Sequence, residues 1–422
     1  MLKIKKSNIL QYILLYMMLV SHGSGIRLMI GSRWPYIFFF ISFLIILWHA
    51  KAAHSRICAY TGMICALAIV TRMTAGGIGL EIIITIAARI LIAYAAVIVN
   101  RETCARNYVR LSVFLASASL PFWFIINANR GLLTVLLPYR AAASEAVFFC
   151  FNPFYTYNVN GATDVVMRNN GIYTEPTLMC IQLLTTLYVL VAMKPQLKIE
   201  EKNWKRSLII MVVALLTTLS TTGYITFMVI VVAFVATNDG YSRRLKNRIC
   251  FGIAIILACA IIEYNINGDS GIVGYFFLRK TISVNDLGQA TLNFGAAGTG
   301  NARLSVIFAA LELIPRYPLG CGYQIYSNFI LNHSIMGIQS SGGGLMAEMA
   351  VFGVIPLCMT IVYLYNGVKR ISTSREMMAI YFMIWVITTL SESTMYYSVF
   401  FLIALLGYNS PDLSCQSIEE AL

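Results

Sequence analysis

Apolar runs of about 20 residues recur along the chain and are separated by short polar segments. Runs of this length match the hydrocarbon core of a bilayer and are typical of membrane-spanning helices. The pattern predicts an all-α polytopic membrane protein, a single integral membrane domain over 1–422. It predicts about twelve transmembrane helices, near residues 9–21, 34–50, 57–71, 78–99, 108–128, 176–193, 204–220, 222–238, 249–266, 342–365, 377–391 and 394–408.

The longest apolar run, 207–236, is predicted to be two helices. One continuous helix would be roughly 45 Å long, against a hydrocarbon core of about 30 Å. The turn-forming residues 220–223 interrupt the run. Clusters of Lys and Arg precede and follow it, and both clusters favour the cytoplasm, so we expect a helical hairpin. The same argument divides 377–408 at 391–393.

Composition and charge support the membrane assignment. Hydrophobic residues make up 59% of the chain and charged residues only 12%, which excludes an ordinary soluble domain. The net charge of +13 does not indicate a nucleic-acid partner, because the basic residues lie between the apolar runs. Segments on one side of the predicted topology hold roughly twice as many Lys and Arg as those on the other, which predicts cytoplasmic termini. Lys3, Lys5 and Lys6 are expected to precede an uncleaved first helix, not a signal peptide.

The cysteines and acidic residues show no metal-site pattern. Ten cysteines are present without a CxxC pair or zinc spacing. Most lie in or beside predicted spans, where cysteine behaves as a small apolar residue. Cys150 and Cys321 both fall in predicted outer loops and are either free thiols or a disulfide pair.

Two predicted outer loops are long, at 129–175 and 267–341, and long structured loops are often functional. Each contains apolar residues that we expect to form a short helix lying along the membrane surface, at Ser144–Phe154 and Leu304–Ile314. The first loop ends in Thr174-Glu175-Pro176. Proline fits the first turn of a helix, so Glu175 is predicted as the N-cap of the sixth span. Its carboxylate either caps the helix or faces a substrate.

Arginines on the outer side and inside the membrane are the main candidates for chemistry. Arg168 and Arg303 lie in the two outer loops, where fixed positive charge favours an anionic, lipid-linked substrate. Arg89 stands in the fourth span, with Glu81 two turns earlier. A mid-membrane arginine costs roughly 2.5–3.5 kcal/mol on insertion scales and needs a partner inside the bundle. It is therefore either structural or a ligand for phosphate.

Four short motifs resemble one family of membrane enzymes. Arg168–Pro176 is similar to an "R…G-[IF]-[YF]-x-E-P-[ST]" stretch, and Leu219–Tyr224 is similar to an "lS-x-T-G" turn. Arg303 and Pro318–Gly322 resemble "R…P-L-x-G-x-G", and Glu348 with Gly353 resembles the "E-x-G" of the following helix. Together they cover about 160–360, less than half of the chain. In their order, the chain resembles the bacterial O-antigen polymerase and ligase superfamily, and in particular the Wzy-type polymerases.

The resemblance implies a glycosyltransferase that polymerises undecaprenyl-diphosphate-linked oligosaccharide units at the periplasmic face of a bacterial inner membrane. Arg168, Arg303 and Arg89 would bind the leaving diphosphate, because a guanidinium binds phosphate oxygens in pairs. Glu175 or His333 would accept the proton of the attacking hydroxyl. The implied reaction needs no cofactor and no metal. Implied partners are membrane lipid, a chain-length regulator and a flippase.

Two other functions remain open. An O-antigen ligase would carry arginine where this chain has Thr221, and a histidine followed by asparagine close before the "E-x-G" helix. Here His333 is followed by Ser334 and lies well before Glu348. A flippase of lipid-linked oligosaccharide would show two similar halves and charges along a central pathway. The sequence therefore favours a polymerase.

Overall fold

The structure is a computed structural model that describes most of the chain. The described residues are 6–49, 55–144, 147–159, 167–237, 244, ten positions between 251 and 267, 282–284, 290–292, 300–332, 344–372 and 374–408. The ten described residues between 251 and 267 are all helical, and they lie in or directly after the predicted span 249–266. His333 lies outside the described residues.

Helices account for most of the described residues. In chain order, numbered by us, they are α1 (Lys6–Val20), α2 (Gly25–Ile30), α3 (Trp34–Trp48), α4 (Ser55–Ala75), α5 (Leu80–Val99), α6 (Arg101–Ala128), α7 (Leu133–Leu136), α8 (Pro176–Ala192), α9 (Lys194–Leu197), α10 (Glu201–Thr217), α11 (Thr221–Thr237), α12 (Gly300–Arg316), α13 (Gly322–Asn332), α14 (Gly344–Phe352), α15 (Val354–Val368), α16 (Arg375–Ser391) and α17 (Ser398–Tyr408). The fold is thus a largely helical bundle, as expected.

Four described helices are long and apolar enough to cross a membrane: Gly25–Trp48, Arg56–Ala75, Leu80–Val99 and Arg101–Ala128. The bent pair α14–α15 would make a fifth. Shorter apolar helices follow the predicted spans at Asn8–Val20, Pro176–Ala192, Thr221–Ala233 and Ser398–Tyr408. These features fit a membrane protein, while the count of twelve spans and the sidedness of the loops stay predictions.

Three helices form the centre of the bundle. Almost every residue of α5 after Ile86, of α8 after Leu178 and of α17 is buried. A helix that is apolar around its whole circumference is covered by other helices or by lipid, and these three are covered by other helices. α17 contacts α5, α8 and α15, and α5 also packs against α1 and α3. Arg89, the candidate residue on α5, therefore lies on a helix of the bundle core.

The predicted break in 207–236 is confirmed. α10 ends at Thr217 and α11 begins at Thr221, with Leu219 at a positive φ of 48° between them. α10 packs against α6 and α8, whereas α11 packs against α16 and α8. The predicted division of 377–408 is also confirmed, because α16 ends at Ser391 and α17 begins at Ser398.

The prediction of one helix over 342–365 was wrong. The chain forms α14 and α15, which meet at an angle of 119°. Gly353 between them has φ of 96°, a conformation that a residue with a side chain rarely adopts. A Cβ there would lie 2.6 Å from the Leu319 carbonyl carbon. The bend therefore depends on a single glycine within an apolar run, which hydrophobicity alone does not reveal.

The prediction of a helix at Ser144–Phe154 was also wrong. Strands β1 (Tyr139–Ser144), β2 (Val147–Phe151) and β3 (Thr156–Asn158) form an antiparallel sheet in the order β1-β2-β3, with Arg140 opposite Cys150. In β2, Phe148 is exposed, whereas Phe149, Cys150 and Phe151 are all buried. Asn152 Oδ1 accepts hydrogen bonds from the Phe154 and Tyr155 amides, which turns the chain into β3. A second small pair, β4 (Ile282–Val284) and β5 (Ala290–Leu292), is also antiparallel.

The structure also tests the predicted helix at Leu304–Ile314 and the alternatives for Cys150 and Cys321. Leu304–Ile314 is helical and forms most of α12, which packs against α13 and α14. Cys150 and Cys321 are both buried free thiols, so the disulfide alternative is excluded. Cys150 lies in a small core beside the sheet, whereas Cys321 belongs to the main core of the bundle.

Candidate functional site

Two arginines, one on α2 and one in the middle of α5, share one indole ring. The guanidinium carbon of Arg27, on α2, lies 5.0 Å from the Trp34 ring centroid, and that of Arg89, on α5, lies 5.8 Å from it. Trp34 is buried and opens α3, which packs along α5. Each cation–π contact contributes about 0.5–2 kcal/mol. The indole thus holds two positive charges close together, an arrangement that favours a bound anion.

Arg89 is only partly satisfied by the protein. Its Nε atom is buried and has no hydrogen-bond partner among the described residues. Its charge interacts with Glu348, but the two side chains do not form one of the direct ion pairs seen in the described structure. Glu81, the partner expected from the sequence, is exposed and interacts with Arg27 instead. A buried polar group without a partner is unfavourable, which indicates a site for an additional ligand.

Glu348 supplies the carboxyl group of the site. It is 5% exposed, and its Oε2 atom accepts a hydrogen bond of 2.7 Å from the Met395 amide. It is the one charged residue of α14, which is otherwise apolar. A buried carboxylate is costly unless other charges and donors compensate it, and the Met395 amide and the charge of Arg89 offset part of that cost.

His22 closes the site from the α1–α2 connection. Its Nε2 atom accepts a hydrogen bond of 2.8 Å from the Ser398 amide and lies 3.0 Å from the Ser398 hydroxyl. Its ring centroid lies 3.8 Å from that of Tyr397. Burial, together with the charges of Arg89 and Arg27, holds the pKa of His22 well below its ordinary value of 6.5. The imidazole is therefore neutral at physiological pH and links α1 to α17.

We call this group of side chains the polar cluster: His22, Arg27, Trp34, Arg89, Tyr323, Glu348 and Tyr397. Tyr323 and Tyr397 belong to it because their phenols interact with the charge of Arg89. Tyr323 comes from α13, so the cluster gathers residues from both halves of the chain. It brings together two cations, one buried carboxylate and hydroxyl groups, which is a suitable set for binding and transferring a phosphorylated ligand.

An open groove of about 620 Å³ lies beside the polar cluster. It runs between the α4–α5 connection and α13, and Tyr323 is common to the groove and the cluster. Its lining residues are Arg72, Gly76, Gly77, Ile78, Gly79, Tyr323, Gln324 and Ser327. The lining offers one guanidinium, one amide, hydroxyl groups and an aromatic ring, the kinds of group that bind sugars and phosphates.

The groove has its shape because two chain segments approach very closely. The Tyr323 amide donates to the Gly77 carbonyl at 3.2 Å, and a side chain on Gly322 would collide with the Gly76 carbonyl. On the other side, the Cys321 amide donates to the Ala350 carbonyl at 2.8 Å and ties the start of α13 to α14. The segment that carries Tyr323 is therefore anchored both to the groove wall and to the helix of Glu348.

Among the residues predicted from the sequence, Arg89 lies in the polar cluster, and Glu175 and Arg168 lie outside it. Glu175 is exposed; it occupies the N-cap position of α8, as predicted, but its side chain makes no capping hydrogen bond. Arg303 lies in the first turn of α12, which packs against the helix of Glu348.

Arg168 lies near α8 and α11. Its charge acts on Cys180 of α8 and Tyr224 of α11. The next residue, Asn169, is buried and donates through Nδ2 to the Ser119 and Thr217 hydroxyls. These bonds fix the start of the 168–176 motif against α6 and α10.

The end of the same motif contacts the polar cluster. Thr174 donates to the Gly23 carbonyl through its amide at 2.7 Å and its hydroxyl at 2.9 Å. Tyr173 is fully buried, pairs with Ser24 and lies against Tyr397. The motif thus connects Arg168 to the segment that carries His22 and Arg27.

Sequence reasoning missed His22 and Arg27 as parts of a site and noted Glu348 only within a motif. A lone carboxylate inside an apolar stretch was the signal available for Glu348. His22 and Arg27 lie next to predicted span ends, and nothing local distinguishes them from ordinary interfacial residues. Among the described residues, no group of His, Cys, Asp and Glu side chains has the arrangement of a metal site.

Comparison with protein-family models and with curated proteins finds no match to this chain. The fold and the polar cluster are therefore the basis for a functional proposal.

Proposed function

We propose that the protein is a membrane glycosyltransferase of the Wzy type, which polymerises undecaprenyl-diphosphate-linked oligosaccharide units into O-antigen or a related surface polysaccharide. The observation that carries the proposal is the pair Arg27 and Arg89 over Trp34, with a buried Arg89 Nε that has no partner among the described residues. The resemblance of the sequence motifs gives the reaction, and the polar cluster gives a place for it.

Arg89 and Arg27 bind the diphosphate in this proposal. Guanidinium groups remain charged inside a protein and bind phosphate oxygens through two parallel hydrogen bonds. As the bond between the sugar and the diphosphate breaks, negative charge grows on the diphosphate. Positive groups fixed in a water-poor site stabilise that charge more in the transition state than in the bound substrate.

Arg168 and Arg303 are proposed as further diphosphate ligands, on the strength of the motifs that contain them. Arg303 begins a helix that packs against α14, and Arg168 belongs to the motif whose Tyr173 lies against Tyr397. Both residues thus lie on segments that contact the walls of the polar cluster. We propose the periplasmic side of a bacterial inner membrane as the location, with both termini in the cytoplasm.

Reconstitution of the purified protein with lipid-linked repeat units tests this function. A polymerase gives a ladder of lipid-linked products of increasing length. Unchanged substrate in the presence of active lipid would contradict the proposal. Transfer of a preformed chain to a lipid A-core acceptor, without a ladder, would indicate a ligase. Movement of substrate across the vesicle membrane without bond formation would indicate a flippase.

A further inference from the structure

Glu348 lies on a short helix whose two ends are both fixed by close contacts, and a catalytic side chain needs such a fixed position. It lies on the nine-residue helix α14, where all other residues are apolar or small. The start of α14 is fixed because Gly344 lies against the Thr389 and Leu390 carbonyls, leaving no room for a side chain. Its end is fixed by the bend at Gly353 and by the bond from Cys321 to Ala350. The carboxylate is thus held on a short, firmly anchored helix.

One carboxylate oxygen of Glu348 is engaged and the other is available. Oε2 accepts the Met395 amide hydrogen at 2.7 Å. No described residue donates a hydrogen bond to Oε1. The charges that act on this carboxylate come from Arg89, and its own charge acts on Tyr323 at the groove. The carboxyl group therefore lies within electrostatic reach of both Arg89 and Tyr323.

A structural role does not require a carboxylate at this position. The Met395 amide needs only an acceptor, which a glutamine carbonyl would supply equally well. An ionised group shielded from water costs several kcal/mol unless it is compensated, about the size of a large destabilising mutation. A carboxyl group at position 348 thus adds nothing to the anchoring of Met395 that an amide would not supply, and its presence needs a different explanation.

We propose that Glu348 accepts the proton of the attacking sugar hydroxyl. This inference rests on the proposed function and adds a catalytic residue to it. The acceptor oxygen forms a bond to the anomeric carbon while the bond from that carbon to the diphosphate breaks. The diphosphate leaves with the electron pair and stays bound to Arg89 and Arg27. The hydroxyl proton moves to Glu348 and then to water, so atoms and charges balance.

Glu348→Gln is the variant that tests the inference, because it keeps an acceptor for the Met395 amide. With purified protein and lipid-linked donor, we expect turnover to fall roughly 10²-fold or more, the usual size of general-base catalysis. Binding of the donor should change less than about threefold, and thermal stability should stay near that of the wild type. Glu348→Asp should keep more activity than Glu348→Gln, since it retains a carboxylate.

Glu312→Gln is the matched control. Glu312 is an exposed carboxylate on the neighbouring helix α12 and pairs with Arg316 at 2.7 Å. Its replacement should leave turnover unchanged. Near-normal turnover by Glu348→Gln beside an active wild type would overturn the inference and leave the proposed function intact. Equal losses of stability and turnover in Glu348→Gln and Glu348→Asp would show a structural role and also overturn it. A wild-type protein that forms no polymer would instead reject the proposed function.

Discussion

Arg89 and Glu348 interact electrostatically but do not join in a direct ion pair. Arg89 is anchored on the central helix α5, and Glu348 on α14, whose far end is fixed by a sharp bend. Because no direct ion pair satisfies both groups, a bound ligand can interact with each of them. This separation, together with the second cation Arg27, distinguishes the site from a closed structural salt bridge.

The bend at Gly353 is predicted to be necessary for the site. Gly353→Ala introduces a side chain at a φ of 96° and against the Leu319 carbonyl. Strained backbone of this kind costs about 1–3 kcal/mol, and the close contact adds to that. Thermal unfolding in detergent should show a clear fall in midpoint. Gly79→Ala is the control, because a Cβ there meets open space. Equal midpoints for the two variants would show that the bend does not depend on glycine.

His22 is predicted to make stability depend on pH. Its pKa in the folded protein lies well below 6.5, whereas in the unfolded chain it is ordinary. Below about pH 6.5 the unfolded state therefore binds more protons, and the free energy of unfolding falls by up to about 1.4 kcal/mol per pH unit.

His22→Gln keeps an acceptor for the Ser398 amide and removes the titrating group. Its thermal midpoint should fall less than that of the wild type between pH 7.5 and pH 5. Parallel curves for the two proteins would contradict this role of His22.

Glu175→Gln is predicted to leave stability unchanged. The carboxylate is exposed and makes no capping hydrogen bond, so its loss should alter the free energy of unfolding by less than about 0.5 kcal/mol. Turnover of this variant then reports chemistry alone. A loss of roughly 10²-fold would identify Glu175 as the proton acceptor in place of Glu348. Near-normal turnover would exclude Glu175 from that role.

The sidedness of the groove is predicted from the distribution of positive charge. Gln324, in the groove, should face the periplasm, and Lys202, in the first turn of α10, should face the cytoplasm. Single cysteines at these two exposed positions, in a background without native cysteines, can be labelled from outside with a membrane-impermeant reagent. Labelling of position 202 but not of position 324 would reverse the topology.

The sequence predicted those elements whose signals are local. Pro176 marks the start of α8. The turn-forming residues 220–223 predicted a break in an apolar run too long for one crossing, and the structure has that break at 218–220. The short sheet was missed because the aromatic run in β2 does not by itself distinguish a strand from a helix, and the pairing with β1 and β3 lies outside a local window. Hydropathy found no break at Gly353, since one glycine in an apolar run has little effect on it.

The candidate site depends on contacts between distant parts of the chain, which explains why it was only partly predicted. Arg89 was identified because a charge within an apolar helix is unusual. Its neighbours come from α2, α13, α14 and the connection before α17, and no spacing in the sequence relates them. Glu81, the expected partner, was chosen by proximity along the helix, whereas the tertiary fold provides Glu348.

The most direct test of the account compares Arg89→Gln with Arg33→Gln in one experiment. Arg33 is an exposed arginine beside Trp34 and serves as the matched control. Both variants and the wild type are measured for binding of an undecaprenyl-diphosphate-linked oligosaccharide and for formation of a product ladder. Loss of a charge-assisted hydrogen bond of about 1.5–3 kcal/mol should weaken binding by Arg89→Gln roughly 10- to 100-fold and abolish the ladder, while Arg33→Gln behaves as the wild type. Wild-type binding and a normal ladder from Arg89→Gln would contradict the assignment of the polar cluster as the diphosphate site.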